Sequence, residues 1–183
     1  MKTLILALFL LPCGLAAQAV YPAASSTVLC RINTPIGNTG STTTNYLTNS
    51  ACKIPGGTLG PNSVVQIIAQ IRDANPSSGT CSVAAGLYTT SGATFASANS
   101  SISGIATTAN TTPWAHIDAE IVNAGSLSSQ NGGSGGVGPS NGGGGFAATT
   151  INTANDSYIN FYLANSVSGD NCQLVYAMVI VYP

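Results

Sequence analysis

Charge is what this sequence has least of. Only 5% of its 183 residues are Asp, Glu, Lys or Arg, where an ordinary globular chain carries roughly 25%. Four basic residues cannot build the phosphate-neutralising surface on which nucleic-acid affinity depends, so nucleic acid and anionic membrane surfaces are excluded as partners. The shortage does not signal disorder, because disordered chains pair few apolar residues with high net charge. Here 44% of residues are hydrophobic, and Ser, Thr, Asn and Gly must supply the polar surface. A net charge of −1 leaves little repulsion to oppose self-association.

Histidine is almost missing, and helical periodicity is missing altogether. With one histidine, His116, and no C-x-x-C pair, a zinc site has too few ligands. A Ser-His-Asp triad would have to pass through His116, and nothing in the sequence selects a serine as its nucleophile. No segment places apolar residues in a sustained stripe at helical spacing. Turn residues instead recur every ten or so positions between short β-branched or aromatic runs, the pattern of a sandwich or barrel.

The chain opens MKTLILALFLLPCGLAAQA, with one lysine, an apolar run from Leu4 to Leu15 and small residues at Ala17 and Ala19. That is the pattern of a signal peptide over residues 1–19. The run falls well short of the roughly twenty residues a spanning helix needs, so no integral span is expected after cleavage. Pro12, just before Cys13, argues against lipoprotein processing there. Residues 20–183 are expected to form one domain, secreted, extracellular or periplasmic. Four cysteines remain in it, Cys30, Cys52, Cys81 and Cys172, and an even count behind a leader reads as two disulfides. Of the three connectivities, we favour Cys30 with Cys52 and Cys81 with Cys172.

Val65, Ile67, Ala69 and Ile71 alternate with polar residues, and Cys81, Val83, Ala85 and Leu87 continue the alternation after a turn at NPSSG. In PWAHIDAEIVN one face carries Ala115, Ile117, Ala119 and Ile121, and the other Trp114, His116, Asp118 and Glu120. Further strands are read at STVLCRI, ATFAS, SISGIA, FAATTI and SYINFYL. The closing CQLVYAMVIVY is apolar on both faces and should be covered on each side. These make an all-β fold, a two-sheet antiparallel sandwich of jelly-roll type with about eight or nine strands. Residues 20–60 hold one strand and an irregular, disulfide-pinned connection. Residues 61–183 form the sandwich core, with a Gly-rich loop over 125–145.

Three stretches, GGTLGPNSVVQIIAQI, IDAEIVNAGSLSSQNGG and TINTANDSYINFYLANSVSGDNCQLVYAMVIVY, together resemble a β-sandwich domain of tailed-phage structural proteins and phage-like metagenomic proteins. The likeness runs from Gly56 to Tyr182 and lies in a TLG turn, an S-L-S-S-Q element and a closing strand pair. It implies a virion-surface or tail-associated module without enzymatic activity. The leader and disulfides add export to that picture.

The run NGGSGGVGPSNGGGG matches two catalytic expressions. Gly132 to Gly136 fit G-x-S-x-G around Ser134, and Gly133, Gly135 and Gly138 fit G-x-G-x-x-G. Both need a helix after the turn, and none is signalled, so both matches fail on context. What remains for Ser134 and its glycines is contact with a neighbouring subunit or a glycan. His116, Asp118 and Glu120 point the same way at about 6.8 Å spacing along a strand, and are the candidates for a metal ion such as Ca²⁺ or for hydrolysis. A solvated strand face is the simpler reading. Among the aromatics Tyr46, Tyr88, Trp114, Tyr158 and Tyr162, we single out Trp114 and Tyr158 as sugar-stacking residues. Sequons occur at Asn99, Asn110 and Asn155. The function expected is that of a non-enzymatic structural or adhesive protein that associates with itself or with another virion or surface protein. The alternatives are a carbohydrate-binding lectin and a hydrolase centred on His116, Asp118 and Glu120.

Overall fold

The alternation read from the sequence is realised in a computed structural model, which describes residues 25–39, 45–47, 49–74, 79–94, 101–107, 114–137 and 148–183. The leader 1–19, most of ATFAS and of the NPSSG turn, Asn99, Asn110 and residues 138–147 lie outside the described residues.

In chain order the strands are β1 (Thr27–Ile32), β2 (Ile36–Thr39), β3 (Asn45–Tyr46), β4 (Cys52–Ile54), β5 (Val64–Asp73), β6 (Cys81–Tyr88), β7 (Ser101–Thr107), β8 (Trp114–Asn123), β9 (Gln130–Val137), β10 (Ala148–Thr149), β11 (Ser157–Asn165) and β12 (Asn171–Tyr182). Eight have six or more residues, and the other four are segments of two to four. The front sheet runs β1-β12-β5-β8-β9-β10, with β2 sharing one edge of β12 with β1. The back sheet runs β3-β11-β6-β7, with β4 sharing the edge of β11 with β3. All ladders between described strands are antiparallel. Taking β1 with β2 and β3 with β4 as single interrupted edges, the chain visits front, back, front, back, back, front, back and front. That winding makes two Greek keys, so the sandwich is a jelly roll, extended beside β8 by β9 and β10.

The core lies between the sheets because the period of two turns every other side chain inward. Val65, Ile67, Ala69 and Ile71 of β5 and Ile117, Ala119 and Ile121 of β8 meet Val83, Ala85 and Leu87 of β6 and Ile159, Phe161 and Leu163 of β11, all essentially inaccessible to water. Two covalent bonds cross the same gap. Cys81 on β6 joins Cys172 on β12, and Cys30 on β1 joins Cys52 on β4, so each disulfide ties one sheet to the other. The connectivity favoured from the sequence is the one present.

Three expectations need correction. The connection after Ile32 contributes β2, β3 and β4, short edge segments whose polar sequence hides their pairing. The loop expected over 125–145 is in part a strand, because Gln130–Val137 pairs with β8 from Asn123 to His116. Glycine is a poor strand former, but a glycine strand lets another backbone come close. β7 of the back sheet approaches β9 within 8 Å between Cα atoms, nearer than the roughly 10 Å between stacked sheets. Last, β12 is bonded on both edges, but its outward side chains Tyr176, Met178 and Tyr182 are only half-buried. No layer of described residues covers that face.

Candidate functional site

The outward face of the front sheet carries the acid-base candidates. His116, Asp118 and Glu120 stand on alternate positions of β8 and face outward with Trp114, which is 45% exposed. The strand geometry predicted from spacing holds. Asp118 Oδ1 accepts a hydrogen bond from Gln66 Nε2 at 2.9 Å, and Gln66 Oε1 accepts one from the Tyr182 hydroxyl at 2.9 Å. Among the described residues no three His, Cys, Asp or Glu side chains are grouped so as to hold a metal ion. The donor set therefore does not fit Ca²⁺, and the row is a polar strand face bridged by amides. Ser134 sits on β9, its backbone opposite Ala119, in a regular ladder with no turn to present a nucleophile.

The outward face of the back sheet is aromatic. Tyr158 lies between Lys53 and Tyr88 in register, and Tyr162 between Tyr46 and Ala84. Tyr88 and Tyr162 are buried, with ring centroids 5.5 Å apart, and Tyr46 meets Tyr162 edge-on at 6.0 Å. The segment after β6 folds back over them: the Tyr162 hydroxyl donates to Ala93 O at 2.7 Å, and Asn160 Nδ2 donates to Thr90 O at 3.0 Å. Tyr88 and Tyr162 are thus a small second core. Tyr158 is half-buried beside the Lys53–Asp156 ion pair, 2.6 Å long and open to solvent. The pair holds Asp156 below the usual carboxylate range, helped by the Gly56 N–H, and raises Lys53. Trp114 and Tyr158 stand on opposite faces of the sandwich, so they form no common platform.

Burial raises the Tyr162 phenol above its ordinary value of 10.0, with the Tyr88 hydrogen bond adding to the effect. A folded-state pKa raised above the unfolded value gives stability that is intact below pH 10 and lost as pH rises beyond it. Wild type should therefore lose up to about 1.4 kcal/mol per pH unit above pH 10 through this group. Urea unfolding between pH 8 and 11.5 should show a shallower alkaline decline in Tyr162→Phe; parallel declines would refute the assignment.

Sequence reasoning missed one cluster. Three stretches distant in sequence, around Gly60, Leu127 and Thr153, meet at one end of the sandwich. Asn123, 2% exposed, donates through Nδ2 to Gly60 O at 2.7 Å and to Thr153 Oγ1 at 3.1 Å, and accepts from Gln130 Nε2 at 3.0 Å. Leu127 O in turn accepts from Gln130 Nε2, from the Thr153 hydroxyl and from Thr153 N. Gly56 lies so close to Ala154 that a Cβ there would come 2.5 Å from its carbonyl oxygen. The TLG turn, the S-L-S-S-Q element and the T-A-N turn are therefore one hydrogen-bonded hub. The TLG turn and the S-L-S-S-Q element are visible in the sequence; that they pack on each other and on Thr153 is not.

No family model and no curated protein matches this chain. Among solved structures, the sandwich is similar to a lectin from Bauhinia forficata in complex with GalNAc, at 11% identity and a TM-score of 0.36, covering 86% of this chain and 97% of that one. A likeness at that level carries no functional argument. Among the described residues no helix is long and apolar enough to cross a membrane.

Proposed function

We propose that this chain is a non-enzymatic jelly-roll protein that works outside the reducing cytoplasm, secreted, periplasmic or on a virion surface, by structural or adhesive contact. The observation that carries the reading is the outward face of the front sheet, a broad surface of amides, aromatics and aliphatic side chains with few charges, on which Asp118 accepts from Gln66. Both disulfides support export, since such bonds persist in oxidising compartments. Protein taken from its native source should show all four cysteines blocked to alkylation until reduced. Free thiols in the native pool would refute the exported location.

Carbohydrate binding is the second reading, and Tyr158 favours it. A half-buried tyrosine flanked by an ion pair offers a sugar an apolar ring face and charged hydrogen-bond partners within one patch. On a glycan array, with and without chelator, the contact reading expects no sugar-specific signal. A signal abolished by Tyr158→Ala and retained by Trp114→Ala would transfer the assignment to a lectin. Hydrolysis of any glycan that disappears in His116→Ala would overturn both.

A further inference from the structure

We propose that the outward face of the front sheet pairs with a second copy of this chain, face to face, about a two-fold axis parallel to the strands. The proposal deepens the contact reading and rests on it, yet a protein that proved to bind sugar could still pair this way, so the two fail separately.

The cross-strand register lays out the face. One row runs Arg31, Met178, Ile68 and Asp118 across β1, β12, β5 and β8, and the next runs Val28, Ile180, Gln66 and Glu120. At about 4.8 Å per strand, the cation on β1 stands roughly 14 Å from the acids on β8. Apolar side chains fill the space between, Ile68 and Met178 half-buried and Val28 43% exposed. Of the exposed charged residues, Lys53 and Asp156 satisfy each other on the back sheet, while Arg31 has no ion pair among the described residues. Arg72, also outward on β5, donates to Gln173, which leaves Arg31 on β1 and the acids on β8 as opposite signs three strands apart on one face.

A two-fold axis lying between β12 and β5 inverts that order. It puts β1 of one copy over β8 of the other, so Arg31 comes opposite Asp118, and Met178 opposite Ile68, each contact occurring twice. Arg31 then lies one row, about 6.8 Å, from Glu120 as well. Isologous pairing requires a surface complementary to itself, and this one is. Rotation by half a turn in the sheet plane would instead set like strands in tandem and leave the charges unpaired. The four strands that overlap, at about ten residues each, span roughly 19 by 33 Å, near 630 Å², the lower end of one side of a standard interface. The pairing also supplies the cover that the doubly apolar sequence of β12 calls for and that no described residue provides.

Light scattering and sedimentation at ~100 µM, above a dissociation constant of about 10 µM or tighter, should report a dimer for the disulfide-intact protein. Arg31→Asp sets acid over acid at each directly facing pair, and Asp118→Arg sets cation over cation. Each variant alone should dissociate on the order of a hundredfold more readily while melting like wild type, because both residues are exposed. Mixed one to one, the two variants should recover most of the wild-type affinity as a heterodimer, since both directly facing pairs again join opposite charges. A monomeric wild type, single reversals that leave the dimer intact, or a mixture of folded variants that does not pair would each overturn the proposal.

Discussion

Replacing Cys81 and Cys172 together by alanine should lower the unfolding free energy by about 4 kcal/mol, the larger of the two disulfide effects. The bond closes a separation of 91 residues, against 22 for Cys30–Cys52. In the chain-entropy description, the longer loop restricts the unfolded ensemble more, by about 1 kcal/mol, so the Cys30→Ala, Cys52→Ala variant should lose about 3 kcal/mol. Packing adds in the same direction, because Cys81 and Cys172 are wholly buried while Cys30 is only partly so. For a chain of this size a loss of about 4 kcal/mol lowers Tm by roughly 8–16 °C. Urea unfolding should also give a steeper m-value, since the uncrosslinked chain exposes more surface when it unfolds. A loss below about 1 kcal/mol with an unchanged m-value would show that the bond adds little beyond the contacts around it.

These bonds matter because of how the sandwich is built. Each sheet is wound from distant parts of the chain: β12, the last strand, pairs with the first and with β5. Such long-range pairing carries a large entropic cost before it is rewarded. Ion pairs contribute little here, since the one salt bridge among the described residues is exposed at both ends. Burial between the sheets and covalent closure across them carry the fold. The outward face of the front sheet is then less constrained by stability than that of the back sheet, where Tyr88 and Tyr162 form a second core.

The strands with strict alternation were legible. In β5 and β8 every second residue is apolar, and both run within one residue of the predicted stretches. The disulfide pairing favoured among the three connectivities is the one present, although no strand assignment selected it. What escaped was structure set by partners distant in sequence. β9 has glycine at four of its eight positions, and only the edge of β8 and the approach of β7 make it a strand. β3 and β4 are too short to show a period. Of the candidate site, the shared direction of His116, Asp118 and Glu120 was legible, but the hydrogen bond from Gln66, 52 residues away from Asp118, was not. Trp114 and Tyr158 each fall on the outer side of their own strand, as read; that the strands belong to different sheets is a matter of topology.

Asn123→Ala should cost about 3 kcal/mol, with Tm lower by roughly 6–12 °C, although the residue lies far from the middle of the core. Its amide is the one group that joins all three motif stretches. Removing it deletes three side-chain hydrogen bonds, strands one Gln130 N–H in a buried site and leaves the Gly60 carbonyl with only the Ser63 N–H. Leaving buried partners unsatisfied costs more than the bonds contributed, and Gln130 is itself inaccessible to water. Asn123→Asp separates this account from simple loss of volume. At neutral pH its carboxylate cannot donate to Gly60 O and would face that carbonyl at the 2.7 Å now bridged by a donated hydrogen. Protonation would restore one donor. The acid's folded pKa is therefore raised, its stability is greater at low pH, and it falls as pH rises through that value. Relative to wild type, Asn123→Asp should be severely destabilised at pH 7 and partly rescued near pH 4, whereas Asn123→Ala should show no such relative rescue. In a double-mutant cycle, Gln130→Ala should add little to Asn123→Ala, because the two share the bond that is lost. Fully additive losses, or equal behaviour of Asn123→Asp and Asn123→Ala across that pH range, would show that the three stretches are held together by packing alone.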